Sequence, residues 1–219
     1  MSYDISLINK NTKQPLLLHH PQYLRGGMVP AELSNGELVQ AMNTHAELNI
    51  TYNYSRYYYE ASDGDERFFV TNENGEKKNG GIRGLYGKTT AESLPMLTDM
   101  IERIKRKYMD QETGAWYVTK RKKFYLYDEN GNLLMKTASL ATETKVHLYD
   151  ENGSEYRDPI NAILNDLPYR KEEKIYEVSE GDMSNYWEGT AANAIIPLMD
   201  MLHMAVEHLS DEEAVWDGD

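Results

Sequence analysis

A glycine-rich segment holds the residues best suited to bind an anion. It reads Gly81-Ile82-Arg83-Gly84-Leu85-Tyr86-Gly87-Lys88-Thr89. If Gly87-Lys88-Thr89 ended a nucleotide-binding phosphate loop, the pattern would need glycine where this chain has Ile82. The preceding residues, 74–79, are polar and do not form a buried strand. The spacing therefore excludes an NTPase of that type.

A weaker anion-binding hypothesis remains for the same segment. It leads towards the predicted start of a helix, where free N–H groups and the helix dipole favour anions. Arg83 and Lys88 add positive charge, so phosphate binding is one interpretation. The other is a glycine-rich connection to a capped helix, because Thr89 and Glu92 have the spacing of a capping box. Glu92 near Arg83 is also the candidate base if the protein is an enzyme.

Other catalytic chemistry lacks the residues it needs. The chain has no cysteine and no Gly-x-Ser-x-Gly elbow. Two of the six histidines, His19 and His20, are adjacent and would face opposite sides of a strand. His203 and His208 are five apart on a predicted helix, which is an unfavourable spacing for chelation. We expect no metal site, no cofactor and no catalytic residue that the sequence can assign.

The charge of the chain is strongly negative, at −13. This balance argues against general nucleic-acid binding, which needs a basic surface. It is typical of a soluble protein, and it also fits an acidic mimic that occupies a basic groove on a partner. Residues 102–123 reverse the trend, with eight basic and three acidic residues. Aromatic residues interleave this stretch, which is either an anionic-partner surface or a solvated helix end and strand face.

Length and composition predict a chain that acts inside the cell. With 219 residues it can bury a core without disulfides. The first residues lack a basic segment followed by an apolar one, so no signal peptide is expected. The longest apolar run, Pro15 to Leu18, is far shorter than the roughly 20 residues of a membrane helix. We therefore expect the cytoplasm of a bacterial host cell, with no membrane partner.

Hydrophobic periodicity indicates strands and helices in both halves of the chain. Alternation predicts strands at 3–8 and 48–54, and the first should form a hairpin with 16–19, ended by His20-Pro21. Residues 28–46 are ambiguous between helix and hairpin. Apolar stripes predict helices over 93–108 and 190–209. The second stripe includes the following residues: Ile195, Leu198, Leu202 and Val206.

The pattern changes to strands between residues 115 and 158. The sequence Leu-Tyr-Asp-Glu-Asn-Gly occurs at 126–131 and again at 148–153. Asn-Gly between apolar runs predicts two hairpins, and the calcium-loop ligand pattern is missing. A short helix is possible within 159–183, followed by a strand at 174–178. These elements predict an α+β fold: a small antiparallel sheet packed with two main helices, plus an inserted β-hairpin meander. The core would comprise 1–109 with 183–219, and the insertion 110–182.

Several segments, in this order, resemble a family of small uncharacterised proteins associated with bacteriophages and prophages. They cover roughly half the chain. The segments are Arg25-Gly26-Gly27, residues 48–54, residues 81–89 with Glu92-Ser93, Tyr186 to Thr190 with Asn193-Ala194, and Trp216-Asp217-Gly218-Asp219. Met28 and Ala192 stand where the family pattern has threonine and glycine. The resemblance implies a phage context and that 110–182 is an insertion; it implies no activity.

These observations support a candidate site and three functions. The candidate ligand-binding residues are Arg25, Asn49, Thr51, Asn53, Arg83, Tyr86, Lys88, Thr89, Glu92, Trp187, Thr190 and Asn193. The first function is a non-catalytic phage accessory protein that binds a small phosphate-bearing ligand or counters a host defence system. The second is an acidic inhibitor of a host protein, anti-CRISPR-like or a nucleic-acid mimic, acting through its surface or inserted hairpins. The third is an unfamiliar nucleotide-acting enzyme. The sequence leaves the oligomeric state open.

Overall fold

A computed structural model gives the fold for most of the chain. It describes residues 2–22, 24, 31–34, 37–40, 42–127, 133–140, 143–144 and 170–219. The chain divides into two compact units, Met1–Tyr117 with Glu180–Asp219 and Val118–Ser179. We call these the first unit and the second unit. The fold class is α+β, as predicted.

The first unit is built on a three-stranded antiparallel sheet. Strand β1 (Ser2–Asn9) lies between β6 (Glu47–Thr51) and β13 (Ala214–Gly218). The alternation that predicted β1 is observed, because Tyr3, Ile5 and Leu7 are all buried. Since β13 is the last strand of the chain and pairs with the first, the sheet joins both ends of the sequence.

Three helices pack with this sheet around one core. They are α1 (Ser55–Ala61), α2 (Thr90–Tyr108) and α3 (Ala191–Glu207). Helix α2 begins at Thr90, three residues before its apolar stripe predicted, because Thr89 and Glu92 form the capping box. Four residues of its apolar stripe, Leu97, Ile101, Ile104 and Tyr108, are buried as expected, and the first, Leu94, is partly buried. The core residues of the two long helices include Leu97, Ile101, Ile104, Leu198, Met201 and Met204.

The stripe predicted for α3 is correct at its start and wrong at its end. Ile195 and Leu198 are buried, but Val206 is 55% exposed. Met201, Met204 and Ala205 occupy the core instead. The helix advances 3.6 residues per turn, so a stripe extended from its first turns drifts off the buried face.

The strand predicted over residues 48–54 is also shorter than expected. Strand β6 ends at Thr51, and Tyr52–Tyr54 form a turn of 3-10 helix that leads directly into α1. The Thr51 hydroxyl accepts a hydrogen bond from the Asn53 amide at 3.3 Å and so caps this turn. Alternating polar and aromatic residues are compatible with either structure, and the threonine cap decides between them.

Three two-stranded ladders complete the first unit. They pair β2 (Leu17–Gln22) with β5 (Asn43–His45), β3 (Ala31–Ser34) with β4 (Glu37–Gln40), and β7 (Phe69–Thr71) with β8 (Lys77–Asn79). The predicted hairpin of β1 with 16–19 is reduced to one bridge, Ile8 with Pro15, because β2 pairs with β5. Pro21 does not end β2; it lies in the irregular part of that ladder.

The second unit contains a four-stranded antiparallel sheet in the order β11-β10-β9-β12. Its strands are β9 (Val118–Tyr127), β10 (Leu133–Leu140), β11 (Glu143–Thr144) and β12 (Arg170–Ser179). The first predicted hairpin is confirmed as a pairing of β9 with β10 that begins at Tyr127 and Leu133. The second Asn-Gly turn and the possible helix up to residue 169 lie outside the described residues. Whether the segment is an insertion relative to relatives stays a prediction.

Candidate functional site

The start of α2 is occupied by its own side chains. The Thr89 hydroxyl accepts from the Glu92 amide at 3.3 Å, and the Glu92 carboxylate accepts from the Thr89 amide at 2.9 Å. The bond from the Thr89 main chain holds the pKa of Glu92 below its ordinary value. Glu92 is therefore already the anion at this helix terminus, and a carboxylate stabilised in its charged form is a weak base.

Arg83 and Tyr86 hold the last strand of the sheet. The Arg83 guanidinium donates to the Tyr52 hydroxyl at 2.9 Å and to the main-chain oxygen of Asp219 at 3.3 Å. It also lies over the Tyr3 ring, 4.9 Å from the ring centre. The Tyr86 hydroxyl donates to the same Asp219 oxygen at 3.3 Å, and burial raises its pKa. Both residues therefore already have partners that account for their positions.

Residue 218 must be glycine for this arrangement to form. A Cβ added there would lie 2.6 Å from the Asp4 carbonyl oxygen and 2.6 Å from the Tyr86 ring. The preceding tryptophan, Trp216, is 1% exposed and donates its indole N–H to the Ser93 hydroxyl at 2.8 Å. Trp216 therefore fixes the last strand to the start of α2. Lys88 supports the same strand through its carbonyl, which accepts from the Trp216 amide at 3.0 Å.

Asn49 and Thr51 lie on β6 and serve local structure. The Asn49 side chain donates to the Ser2 hydroxyl at 2.8 Å and also to the Asp4 carboxylate, its cross-strand neighbour. The Asn49 carbonyl accepts from the Tyr186 hydroxyl at 3.0 Å. Thr51 is buried at 4% exposure and caps the 3-10 turn. In a strand over 48–54, alternation would put Asn49, Thr51 and Asn53 on one face, but Asn53 lies beyond the end of β6, so the three do not share a strand face.

Asn53 fixes the position of an exposed tryptophan. Its side-chain amide donates to the Trp187 carbonyl at 2.7 Å. The Trp187 ring is 61% exposed and meets Tyr186 edge to face, with ring centres 5.1 Å apart. The Tyr54 hydroxyl donates to the Tyr186 carbonyl, which fixes the residue before Trp187. We call residues 181–189 the tryptophan loop.

Thr190 and Asn193 hold the tryptophan loop from the start of α3. The Thr190 hydroxyl donates to the Asp182 carbonyl at 2.7 Å and accepts from the Asn193 amide at 3.2 Å. The Asn193 side chain donates to the carbonyls of Asn185 and Glu188, both at 2.9 Å. Thr190 and Asn193 are both 0% exposed, so they shape the loop and cannot touch a ligand in this conformation.

The predicted residues therefore fall into three groups. Arg83, Tyr86 and Lys88 support the last strand; Thr89 and Glu92 cap α2. Asn53, Thr190 and Asn193 support the loop that presents Trp187, and Asn49 contacts that loop through Tyr186. Arg25 lies outside the described residues. Of the predicted residues, Trp187 combines the largest described apolar side chain with wide exposure.

Sequence reasoning missed a buried charge network centred on Glu180. Its carboxylate, 0% exposed, accepts from the Tyr57 hydroxyl at 2.6 Å, the Arg56 guanidinium at 3.3 Å and the Ala191 amide at 2.9 Å. The partners Arg56 and Glu180 are separated by 124 positions in the chain. No spacing rule connects residues so far apart, so the sequence carried no usable signal.

A second missed feature is an open depression of about 720 Å³ on the first unit. It lies between the end of α1 with the turn that follows and the last turns of α2. Its lining is made almost entirely of charged residues: Glu60, Asp63, Asp65, Glu66, Arg103, Arg106 and Lys107, together with Ala61 and Gly64. All three basic residues in this lining belong to the basic stretch at residues 102–123.

Searches for further sites and for relatives give negative findings. Within the described residues, no group of three or more histidine, aspartate or glutamate side chains could hold a metal ion. Among the same residues, no helix is long and apolar enough to cross a membrane. Comparison with family models, with curated proteins and with solved structures gives no match.

Proposed function

We propose that this chain is a non-catalytic binding protein that engages a partner protein through the tryptophan loop. The observation that carries the proposal is Trp187, a large apolar side chain that is 61% exposed yet held at its backbone by a dedicated hydrogen bond. Tryptophan, together with tyrosine and arginine, is enriched among the residues that dominate binding energy at protein interfaces. An exposed tryptophan with a fixed backbone is suited to enter a pocket on a partner.

The loop is prepared for binding before any partner arrives. Asn53, Thr190 and Asn193 together donate four hydrogen bonds to its carbonyl groups. Ordering a flexible loop on association costs free energy, and a loop already ordered avoids that cost. Met183, 52% exposed in the same loop, adds a second apolar contact that adapts its shape easily.

The negative charge of the chain favours a partner with a basic surface. The whole chain carries −13, and Asp182 and Glu188 belong to the loop itself. A basic partner surface with an apolar pocket would match both the loop and the surrounding charge, and the attraction would speed association at low salt. The charge thus supports the function of an acidic inhibitor of a host protein. The resemblance to phage and prophage proteins supports a role in countering a host defence system by binding.

The other two functions gain less support from the described contacts. A phosphate-bearing ligand would have to displace Glu92 from the start of α2 and Asp219 from Arg83. Catalysis by Glu92 as a base is disfavoured by its lowered pKa. Native mass spectrometry for a bound ligand, described below, tests both functions.

The test compares three tagged baits in a lysate of bacterial host cells: the wild type, Trp187→Ala and Leu17→Ala. Leu17 is the matched control, since its exposure of 62% is close to the 61% of Trp187. We expect a basic host protein that the wild type and Leu17→Ala retain and Trp187→Ala loses. With that protein purified, calorimetry should give a Kd at least about 30-fold weaker for Trp187→Ala, as is typical of a dominant interface residue.

Two further measurements separate the alternatives. A deletion of residues 118–179 that leaves Glu180 in place tests whether the second unit provides the interface, as the inserted-hairpin hypothesis requires. Mass spectrometry of the native protein tests for a bound nucleotide-like molecule that Arg83→Ala loses. A partner that binds Trp187→Ala as tightly as the wild type would refute the proposal. A released phosphate-bearing ligand would favour sequestration instead.

A further inference from the structure

The open depression has walls that are fixed by hydrogen bonds. From α2, Arg103 donates to the Ala61 carbonyl at 2.9 Å and to the Asp65 carboxylate at 2.9 Å. Arg67 holds the same carboxylate at 2.6 Å. The hydrogen bonds from Arg67, and then the one from Arg103, hold the pKa of Asp65 well below its usual range. These hydrogen bonds join the α2 side of the depression to the turn after α1.

Three charged residues of the depression remain available. Within the described part of the chain, the side chains of Asp63, Glu66 and Arg106 make no hydrogen bond or ion pair, and all three are exposed. Lys107 pairs with Glu60 at 3.1 Å, but their side chains are 56% and 34% exposed. Such a surface pair contributes little and exchanges readily for another partner.

The available charges have opposite signs on the two sides of the depression. Arg106 and Lys107 come from α2, whereas Asp63 and Glu66 come from the turn after α1. A ligand with a single charge would satisfy one side and face repulsion or an unpaired charge on the other. A ligand with two opposite charges, separated by an aliphatic chain, would satisfy both.

We propose that this depression binds a small zwitterion that carries a carboxylate and an ammonium group. Arg106 would take the carboxylate, since a guanidinium presents two parallel N–H donors to it. Asp63 and Glu66 would take the ammonium group, which has three donors and no acceptor. This site is separate from the tryptophan loop and does not depend on the function proposed for that loop.

The test uses nuclear magnetic resonance titration of the full chain with ω-amino acids of increasing length, at low ionic strength. The controls are n-alkyl carboxylates and n-alkyl amines, which carry each charge alone. We expect saturable shifts of the amide signals of residues 60–66 and 103–107, with one chain length preferred. The preferred zwitterion should bind at least about tenfold more tightly than either singly charged control, because both walls contribute.

Variants assign the two ends of the ligand. Arg106→Gln should weaken binding of the zwitterion at least about tenfold, and Asp63→Asn should weaken it while leaving binding of the alkyl carboxylate unchanged. Lys105→Gln is the matched control, since Lys105 lies on the same helix but does not line the depression. Equal binding of the singly charged controls, no effect of Arg106→Gln, or no saturation at about 10 mM would overturn the proposal.

Discussion

The two long helices of the first unit begin with similar sequences and end up with different tasks. Helix α2 follows Gly87-Lys88-Thr89, and α3 follows Gly189-Thr190. Each threonine accepts a hydrogen bond from the amide three residues later, Glu92 in α2 and Asn193 in α3. In α2 that third residue returns the bond to its own threonine. In α3 it turns away and holds the tryptophan loop.

Burial explains the difference. The α2 start is exposed, so a charged glutamate can close the box in water. The α3 start is buried, and a second charge there would need its own partners. The buried carboxylate at this helix start, Glu180, forms an ion pair with Arg56 and accepts a hydrogen bond from the Ala191 amide. Asn193, neutral and short, then uses its two donors for the loop. One local pattern thus gives either a self-contained cap or a support for a binding loop.

Removal of Glu180 should lower the free energy of unfolding more than any other change at the two helix starts. Glu180→Ala leaves Arg56, whose side chain is 12% exposed, without its carboxylate. The loss of one member of a buried ion pair costs about 3–5 kcal/mol, which sets the upper limit for this largely buried pair. Glu180→Gln retains the shape and one acceptor oxygen, so its loss should be clearly smaller. Urea denaturation followed by circular dichroism measures both. Equal stability of Glu180→Ala and the wild type would show that the network contributes nothing.

Asn193→Ala should have the next largest effect and should act on the loop. It removes two side-chain hydrogen bonds, to the carbonyls of Asn185 and Glu188, which keep only their main-chain donors. The loss of two such bonds costs about 1–3 kcal/mol in total. Hydrogen exchange should rise across residues 181–189 and remain unchanged at the start of α2. The matched variant is Asn53→Ala, which removes one bond to the loop instead of two. Protection that stays at the wild-type level in Asn193→Ala would separate the asparagine from the loop.

The smallest effect should come from acid, which should weaken the cap of α2 but not the hydrogen bonds of the neutral Asn193 side chain. The folded pKa of Glu92 lies below its ordinary value of 4.5. Its contribution to stability is therefore present above about pH 4.5 and is lost as the pH falls through the lower, folded pKa. Glu92→Gln should be less stable than the wild type at pH 7 and should lose less stability on acidification. A pH series of urea denaturation midpoints tests this, with Asn193→Ala expected to leave the acid-dependent part unchanged.

The sequence predicted what short-range patterns encode. The capping box spans four residues, and the α2 stripe repeats with a helical period, so both were accessible. Tyr52 to Tyr54 was assigned to a strand because the competing signal, a threonine cap, looks the same in either structure. The network of Arg56 and Glu180 depends on contacts across more than half the chain. Trp187 was identified through resemblance, but its exposure is a property of tertiary packing and no local pattern encodes it.

The chain leaves the first unit at Tyr117 and returns at Glu180, and the amide of Glu180 donates to the carbonyl of Tyr117 at 2.9 Å. The two ends of the second unit are thus anchored side by side, as the paired residues Val118 and Ser179 also indicate. Closing a short loop costs less entropy than closing a long one, so replacing roughly sixty residues by a short turn does not add to that cost. Tyr117 and Glu180 therefore form a natural attachment point, where a reporter domain could be exchanged for the second unit.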